Sequence, residues 1–293
     1  MDAVCVKGEW DVLLERNGSG KLLGLLVYHT RKVYGFNVIM NPLMTAYNGI
    51  YLLYPDKLTN YEKGHFTYKH TQALIDRLPK RSMYYQQYHT DFNNWLGLYW
   101  NGYKETTRYT YIVDSAVGKD HQWATLKNAI KKDIRNAEKA CNLVEIDMKT
   151  FLKEAKRAFA DRNKEQPANS EALTRLYDKL YPKGQLQILS AQHKETGEYL
   201  SAQIVVHDKN RSYALACYFK RQKEMRTTLS YVIWHLIFSG ERRYFDFDGS
   251  IIKGVERYIR SFGGVLTPHY KIHKVSNPIL RFGLNILKPN FFG

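Results

Sequence analysis

Long hydrophobic runs are missing from this sequence of 293 residues. The longest, residues 22–27 and 231–238, fall far short of the roughly 20 apolar residues that a membrane-spanning helix needs. The N-terminus also lacks a basic segment followed by an apolar stretch, so no secretory signal is predicted. We therefore expect a cytoplasmic protein without a membrane span.

Cysteine is scarce as well. The three cysteines are scattered and odd in number, which predicts neither a disulfide framework nor a metal site. His269 and His273 fall on one face of a predicted strand, but no third ligand lies near them in the sequence, so no metal is expected. The sequence also lacks the hydrolase nucleophile elbow, the Walker-type phosphate loop and the Rossmann fingerprint.

Positive charge, by contrast, is abundant. Lys and Arg number 44 against 28 Asp and Glu, which gives a net charge of +16. Such a charge favours an anionic partner, whether nucleic acid, a phosphate-bearing substrate or an acidic membrane face. The alternative is a basic surface that has no specific partner.

Two distant segments follow the same plan. Residues 10–32 and 186–208 each form two predicted strands joined by a short turn that contains glycine, which is typical of an antiparallel hairpin. Each hairpin is followed by an extended segment, a helix and an aromatic strand: 47–54, 68–79 and 82–89 in the first half, 212–219, 228–240 and 243–248 in the second. The repeat predicts an α/β (α+β) protein of two tandem domains, each with a mixed, mostly antiparallel sheet flanked by helices.

The predicted domain limits are 1–118 for the first domain and 119–276 for the second. Residues 277–293 form a C-terminal tail, whose apolar residues are flanked by Arg281 and Lys288. Peripheral contact with a membrane surface is one interpretation of this tail. A helix packed on the fold is the other.

The segment 242–264, RRYFDFDGSIIKGVERYIRSFGG, is the most patterned part of the chain. Strand alternation places Asp246 and Asp248 on one face and the two phenylalanines between and before them on the core face. Gly249-Ser250 then starts a predicted helix, for which Ser250 or Asp248 is the expected cap. The helix has a predicted buried stripe, a basic stripe and a glycine stop: Ile252, Val255, Ile259 and Phe262; Lys253, Arg257 and Arg260; Gly263 and Gly264.

Two interpretations of this segment stay open. In the functional one, a carboxylate at the strand end takes a proton from an attacking amine, and the helix arginines bind phosphate. In the structural one, Asp248 caps the helix, Asp246 pairs with an arginine and the basic stripe is solvated.

The same segment resembles the C-terminal signature of the Fem-type (FemAB) peptidyltransferases and their GNAT-like acyltransferase relatives. The residues YFDFDGS and GVERYIRSFGG (244–250 and 254–264) are similar to a strand end followed by a helix that closes in Phe-Gly-Gly. The basic segment 126–140 is similar to a second pattern of that family. The resemblance implies two tandem GNAT-like domains, the first shortened at its start.

The function that the resemblance implies is acyl or aminoacyl transfer from an activated donor to an amine acceptor that carries phosphate. Aminoacyl-tRNA or acyl-CoA would be the donor, a bacterial cell wall (peptidoglycan) precursor the acceptor, and no cofactor would be required. Direct attack without a covalent enzyme intermediate is expected. The implied site contains catalytic carboxylates, phosphate-binding residues and motif glycines: Asp246 and Asp248; Lys253, Arg257, Tyr258, Arg260, Lys220, Arg221 and Arg226; Gly249, Gly263 and Gly264.

Two departures from the family pattern keep a rival open. Ile259 stands where the family has the first lysine of a pair, and residues 220–232 lack the glycines of a coenzyme A loop. The second departure disfavours an ordinary acetyl-CoA enzyme. Together they leave as the alternative a non-catalytic protein that uses a degenerate acyltransferase fold and a basic groove to bind an anionic ligand or RNA.

Overall fold

A computed structural model describes residues 1–5, 7–162, 169–220, 227–240 and 242–287. It divides into two compact units: unit 1 is Met1–Arg108 with Pro268–Gly293, and unit 2 is Tyr109–Thr267. The chain enters unit 2 within one strand and leaves it within another. The sequence predicts boundaries at 118 and 276, and both crossings lie before them. The linker-like segment 114–120 lies inside unit 2, where it leads into short helices.

The described strands are β1 Glu9–Arg16, β2 Leu22–Val33, β3 Phe36–Met40, β4 Gly49–Leu52, β5 Met83–Gln87, β6 Lys104–Asp114, β7 Cys141–Glu145, β8 Leu186–His193, β9 Tyr199–His207, β10 Arg211–Phe219, β11 Tyr244–Asp246 and β12 Val265–Val275. The described α-helices are α1 Asn60–Asp76, α2 Leu96–Trp100, α3 Lys119–Thr125, α4 Asn128–Ala140, α5 Met148–Ala160, α6 Ser170–Leu180, α7 Leu229–Phe238, α8 Lys253–Arg260 and α9 Pro278–Leu287. No helix within these ranges is long and apolar enough to cross a membrane.

In unit 1 the strand order is β1-β2-β3-β5-β12, and β4 pairs with β2. Among the described strands of unit 1, β3 and β5 pair in parallel, whereas β1–β2, β2–β3, β2–β4 and β5–β12 are antiparallel pairs. Helix α1 begins at a capping box, in which Thr59 and Glu62 exchange hydrogen bonds, and its Leu74 and Ile75 join the core with Tyr84 of β5. On a second cluster, Leu280 and Leu284 of α9 pack against buried residues of β3, β5 and β12.

In unit 2 the order is β6-β11-β10-β9-β8-β7, with β10 and β11 as the parallel pair. The core lies between the sheet and helices α4 and α7, where Ile134 and Ile233 meet Phe245 of β11. Helix α5 also packs on the sheet, through the contact of Phe151 with Tyr218 of β10. Helices α4, α5 and α7 therefore pack on the sheet whose strand β11 begins the segment 242–264.

The predicted repeat is present, so the predicted fold class is confirmed. In each unit a hairpin (β1–β2 or β8–β9) is followed by a strand antiparallel to its second member, a helix, and a strand parallel to the third. One assignment was wrong: the third strand of unit 1 is β3, and residues 49–52 form the additional strand β4. The turn before β3 is formed by Tyr34 and Gly35, both with positive φ, a two-residue hairpin turn without the usual Asn-Gly signal.

Candidate functional site

The parallel strands β10 and β11 separate after three residue pairs. The pairing joins Arg211–Tyr213 to Tyr244–Asp246, after which β11 ends while β10 continues to Phe219. At the same point β10 has a register irregularity against β9, between Ala214 and Ala216. The carboxyl ends of parallel strands are the usual place for ligands in α/β sheets, so the residues after β11 are the candidate site.

Asp246, the last residue of β11, is fully buried and is held by three partners. The Thr110 hydroxyl donates to Oδ1 at 2.6 Å, and the Asp248 backbone N–H donates to the same oxygen at 2.9 Å. The Arg211 guanidinium lies 3.2 Å from Oδ2. This arrangement matches the structural interpretation of Asp246, which fixes the turn that carries Asp248.

Sequence reasoning missed Arg211 and Thr110. Each lies far from Asp246 along the chain, and only the pairing of β11 with its two neighbouring strands brings the three side chains together. Neither has a motif around it that could have revealed this role. A buried carboxylate of this kind is recognised only once the strand order is known.

Asp248 and Gly249 form a sharp turn, with φ values of 57° and 61°. A Cβ atom at Gly249 would lie 2.1 Å from the Tyr109 carbonyl oxygen, so only glycine fits there. Because the strand ends at Asp246, strand alternation does not extend to Asp248. Phe245 and Phe247 do lie in the core as predicted.

The Asp248 carboxyl is half-buried and makes no hydrogen bond or ion pair with any residue that the structure describes. Burial, and then the negative charge of Asp246, raises its pKa to about 7. A carboxyl with that pKa exchanges a proton readily at neutral pH. This is the chemistry that the functional interpretation needs.

Helix α8 begins later than the sequence predicts. Its N-cap is Ile252, without a side-chain cap, while Ser250 Oγ accepts a hydrogen bond from the Ile252 N–H at 3.1 Å. The expected caps, Ser250 and Asp248, were therefore wrong. Ile252 and Val255 are 65% and 44% exposed, so only Ile259 and Phe262 of the predicted stripe are in the core.

The glycine stop of the helix is as predicted. Gly263 has a φ of 73°, and a Cβ atom there would lie 2.2 Å from the Thr125 hydroxyl oxygen. Gly264 passes close to the Ile112 carbonyl group. The two glycines therefore let the chain run directly against α3 and β6.

The basic stripe of α8 is only partly available to a ligand. Lys253 and Arg257 are exposed and have no ion pair within the described ranges. Arg260 lies 3.2 Å from Glu256, which also accepts the Tyr111 hydroxyl at 2.7 Å. The phosphate-binding role of the stripe stays a prediction, with Lys253 and Arg257 as the members best placed for it.

Tyr258 faces the other way. Its hydroxyl shares a hydrogen bond of 3.1 Å with Ser230 of α7, and its ring packs on Phe262. Burial raises the pKa of this phenol, so it is neutral. It supports α8, and its predicted contact with phosphate remains a prediction.

Lys220, at the end of β10, is held by two carboxylates. Its ammonium lies 3.0 Å from Glu154 and 2.7 Å from Glu198. Its burial lowers the pKa, but the bonds to Glu198 and Glu154 outweigh this and raise it overall. Its charge is thus already neutralised. Arg221 and Arg226, predicted to bind phosphate beside it, lie outside the described residues.

No protein-family model matches the sequence, and no curated protein matches it. Solved structures do. The chain is similar to FemX at 12% identity over 96% of this chain and 92% of that one, with a TM-score of 0.70. It is similar to L-PGS from Bacillus licheniformis at 12% identity over 97% of this chain and 90% of that one, with a TM-score of 0.53. It is also similar to a tandem GNAT protein from the clavulanic acid biosynthesis pathway at 9% identity over 92% of this chain and 83% of that one, with a TM-score of 0.53. The chain therefore has the FemAB-like, tandem GNAT fold.

Proposed function

We propose that unit 2 is the catalytic unit of an acyltransferase, which transfers an acyl or aminoacyl group to an amine acceptor that carries phosphate. The observation that carries the proposal is the turn after β11. There Asp248 holds an unpartnered, half-buried carboxyl with a pKa of about 7. The fold shared with FemX and a tandem GNAT protein supports this class of reaction.

Unit 1 lacks the equivalent carboxylates. In the parallel pair of unit 1, Tyr85 is the partner of Met40, as Asp246 is the partner of Tyr213 in unit 2. The position of Asp246 is thus taken by Tyr85 and that of Asp248 by Gln87. A tyrosine and an amide cannot accept the amine proton near neutral pH. Proton transfer is therefore assigned to unit 2.

In the proposed reaction the acceptor amine attacks the carbonyl carbon of the donor. A bond forms between that carbon and the nitrogen, and the bond from carbon to the ester oxygen or thioester sulfur breaks. The nitrogen loses its proton to the Asp248 carboxylate, and the leaving oxygen or sulfur is protonated from the same carboxyl or from water. No covalent enzyme intermediate and no cofactor take part.

The charge of the chain supports anionic substrates. Lys253 and Arg257, exposed on the helix that follows Asp248, are the proposed phosphate contacts. Aminoacyl-tRNA is favoured over acyl-CoA as donor because residues 220–232 contain no glycine. A cytoplasmic cell wall precursor is the proposed acceptor, since its diphosphate matches the net charge of +16.

The test is Asp248→Asn, since Asn tolerates the left-handed turn. We expect kcat/KM for acyl transfer to fall by about 100-fold or more while the acceptor still binds. The matched control is Asp114→Asn, which removes a carboxylate of unit 2 that pairs with Arg243 on the surface. Unchanged transfer by Asp248→Asn, in an assay with both donor classes, would falsify the assignment.

A binding protein without catalysis is the second candidate. Ile259, at the position of a family lysine, is buried in the core, so the cation of that family pattern is missing here. If the acceptor raises the melting temperature but neither aminoacyl-tRNA nor acyl-CoA does, and no transfer is detected, binding alone is the function. Stabilisation by a donor together with transfer excludes it.

A further inference from the structure

The strand end of unit 1 that corresponds to the acidic site of unit 2 is basic. In unit 1, Tyr85 pairs with His273 of β12, and Lys271 lies two residues before His273. In unit 2, Asp246 pairs with Ile112 of β6, and Thr110 lies two residues before Ile112. Strand alternation puts His269 and His273 on the same face as Lys271. All three side chains are buried, with relative exposures of 3%, 8% and 8%.

Neither ring nitrogen of His269 has a hydrogen-bond partner among the described residues. Its ring meets that of Tyr47 edge-on, with the centroids 5.2 Å apart, and the Tyr47 ring meets His89 in the same way. Buried polar groups are nearly always paired, so an imidazole that is unpaired on both sides indicates that a ligand or ordered water binds there.

Lys271 is equally short of partners. Its ammonium lies 4.6 Å from the centroid of the Tyr85 ring, and it makes no hydrogen bond or ion pair with the residues that the structure describes. Burial, with the nearby Arg108 guanidinium, lowers its pKa to about 8. A buried ammonium that faces only an aromatic ring is costly unless an anion joins it.

The other charged groups around this face are mostly cationic. Burial, followed by the charges of Arg108 and His89, lowers the pKa of His269 to about 4, so this imidazole is neutral. Burial, followed by Lys104, also lowers the pKa of His273. The acidic group nearby, Asp91, lies 3.3 Å from His89, and its side chain is 79% exposed. A bound anion would relieve the repulsion between Lys271 and Arg108.

We propose that His269 and Lys271 form an oxyanion site in unit 1 that binds a phosphate group. The site rests on the proposed function for the identity of its ligand, but not for its existence. The Lys271 ammonium supplies the charge and two or three hydrogen bonds, and neutral His269 donates one ring N–H.

Calorimetry with inorganic pyrophosphate tests the site on the full chain. We expect Lys271→Met to weaken the affinity at least about tenfold, since it removes a charged hydrogen-bond donor. Lys32→Met, which removes the same charge from an exposed position of β2, should leave the affinity unchanged. Equal weakening in both variants, or none in Lys271→Met, overturns the proposal.

Histidine NMR gives a readout that does not depend on the lysine variant. Pyrophosphate should shift the His269 ring signals and raise the pKa of that imidazole, because the anion stabilises its protonated form. Sulfate, whose charge is constant from about pH 6 to about pH 9, should bind more tightly at the lower pH as Lys271 becomes protonated. Static His269 signals and an affinity independent of pH would mean that only water fills the site.

Measurements of pyrophosphate binding and of acyl transfer distinguish the two proposals. Pyrophosphate binding at His269 and Lys271 without any acyl transfer would leave the oxyanion site standing and remove the transferase. Acyl transfer that Lys271→Met does not affect, with no pyrophosphate binding, would do the reverse.

Discussion

Two aspartates two residues apart have different environments at the end of β11. Asp246 is buried but has two side-chain donors and a backbone N–H, so its charge is compensated. Asp248 has no such donor among the described residues, and its burial, followed by the charge of Asp246, raises its pKa to about 7. Two carboxyl groups in different environments are a common way to divide roles between two acids.

Because its pKa is raised, the Asp248 carboxyl lowers the stability of the folded chain at high pH. In the unfolded chain the carboxyl ionises near about pH 4, and in the folded chain near about 7, so stability falls as the pH rises between these values. Asp248→Asn should therefore raise the melting temperature at about pH 8 and leave it unchanged at about pH 4.

Asp114→Asn is a control of the opposite sign. Its hydrogen bonds to Arg243 lower the Asp114 pKa, so this variant should lose stability at about pH 8 and match the parent as the pH falls below the folded pKa. Melting curves of the three proteins at both pH values decide. Lower stability of Asp248→Asn at the higher pH would contradict the assignment.

Helix α8 is buried along only part of its length. Residues 250–252 stay outside the helix, and Val255, which shares a helix face with Ile259, lies in the first turn, outside the core. Ile251, Ile252 and Val255 are exposed, whereas Ile259 and Phe262 are in the core. The first half of α8 is thus exposed to solvent, and the second half packs in the core of unit 2.

We expect Ile259→Ala to lower the free energy of unfolding by about 2–4 kcal/mol, because it leaves a cavity in the core of unit 2. Val255→Ala, one turn earlier on the same helix, should change it by less than about 0.5 kcal/mol. Denaturant unfolding of both variants measures the difference. Equal losses would mean that the whole stripe is buried, as the sequence pattern predicts.

The sequence predicts the repeat and both hairpins because these depend on local turns and alternation. It also identifies Gly249 and Gly263, whose positive φ values are local requirements. It cannot predict that Arg211 and Thr110 meet Asp246, or that Lys220 is neutralised by Glu154, because those contacts depend on strand order and helix packing. It also cannot predict that Val255 is exposed although it shares a helix face with Ile259, because that depends on how far along α8 the core extends.

At the scale of the molecule, Lys and Arg exceed Asp and Glu by a net charge of +16. Long-range attraction of anionic substrates should therefore contribute to catalysis, and salt screens such attraction within roughly 10 Å at 0.1 M. We expect kcat/KM for the phosphate-bearing acceptor to fall steadily as potassium chloride is raised, with the loss mainly in KM.

A neutral osmolyte at matched osmolality is the control, since it does not screen charge. If sucrose and salt lower kcat/KM alike, the effect comes from water activity or stability. Rates that do not respond to salt would remove electrostatic steering from the proposal.

The path of the chain through the two units also sets an order of events during synthesis. Every residue of unit 2, Tyr109–Thr267, is made before the residues of β12 that pair with β5. The edge of β5 that β12 covers therefore stays unpaired until residues 271–275 leave the ribosome. The strand that pairs with this edge also carries His269 and Lys271, so the oxyanion site is assembled only after all of unit 2 has been synthesised.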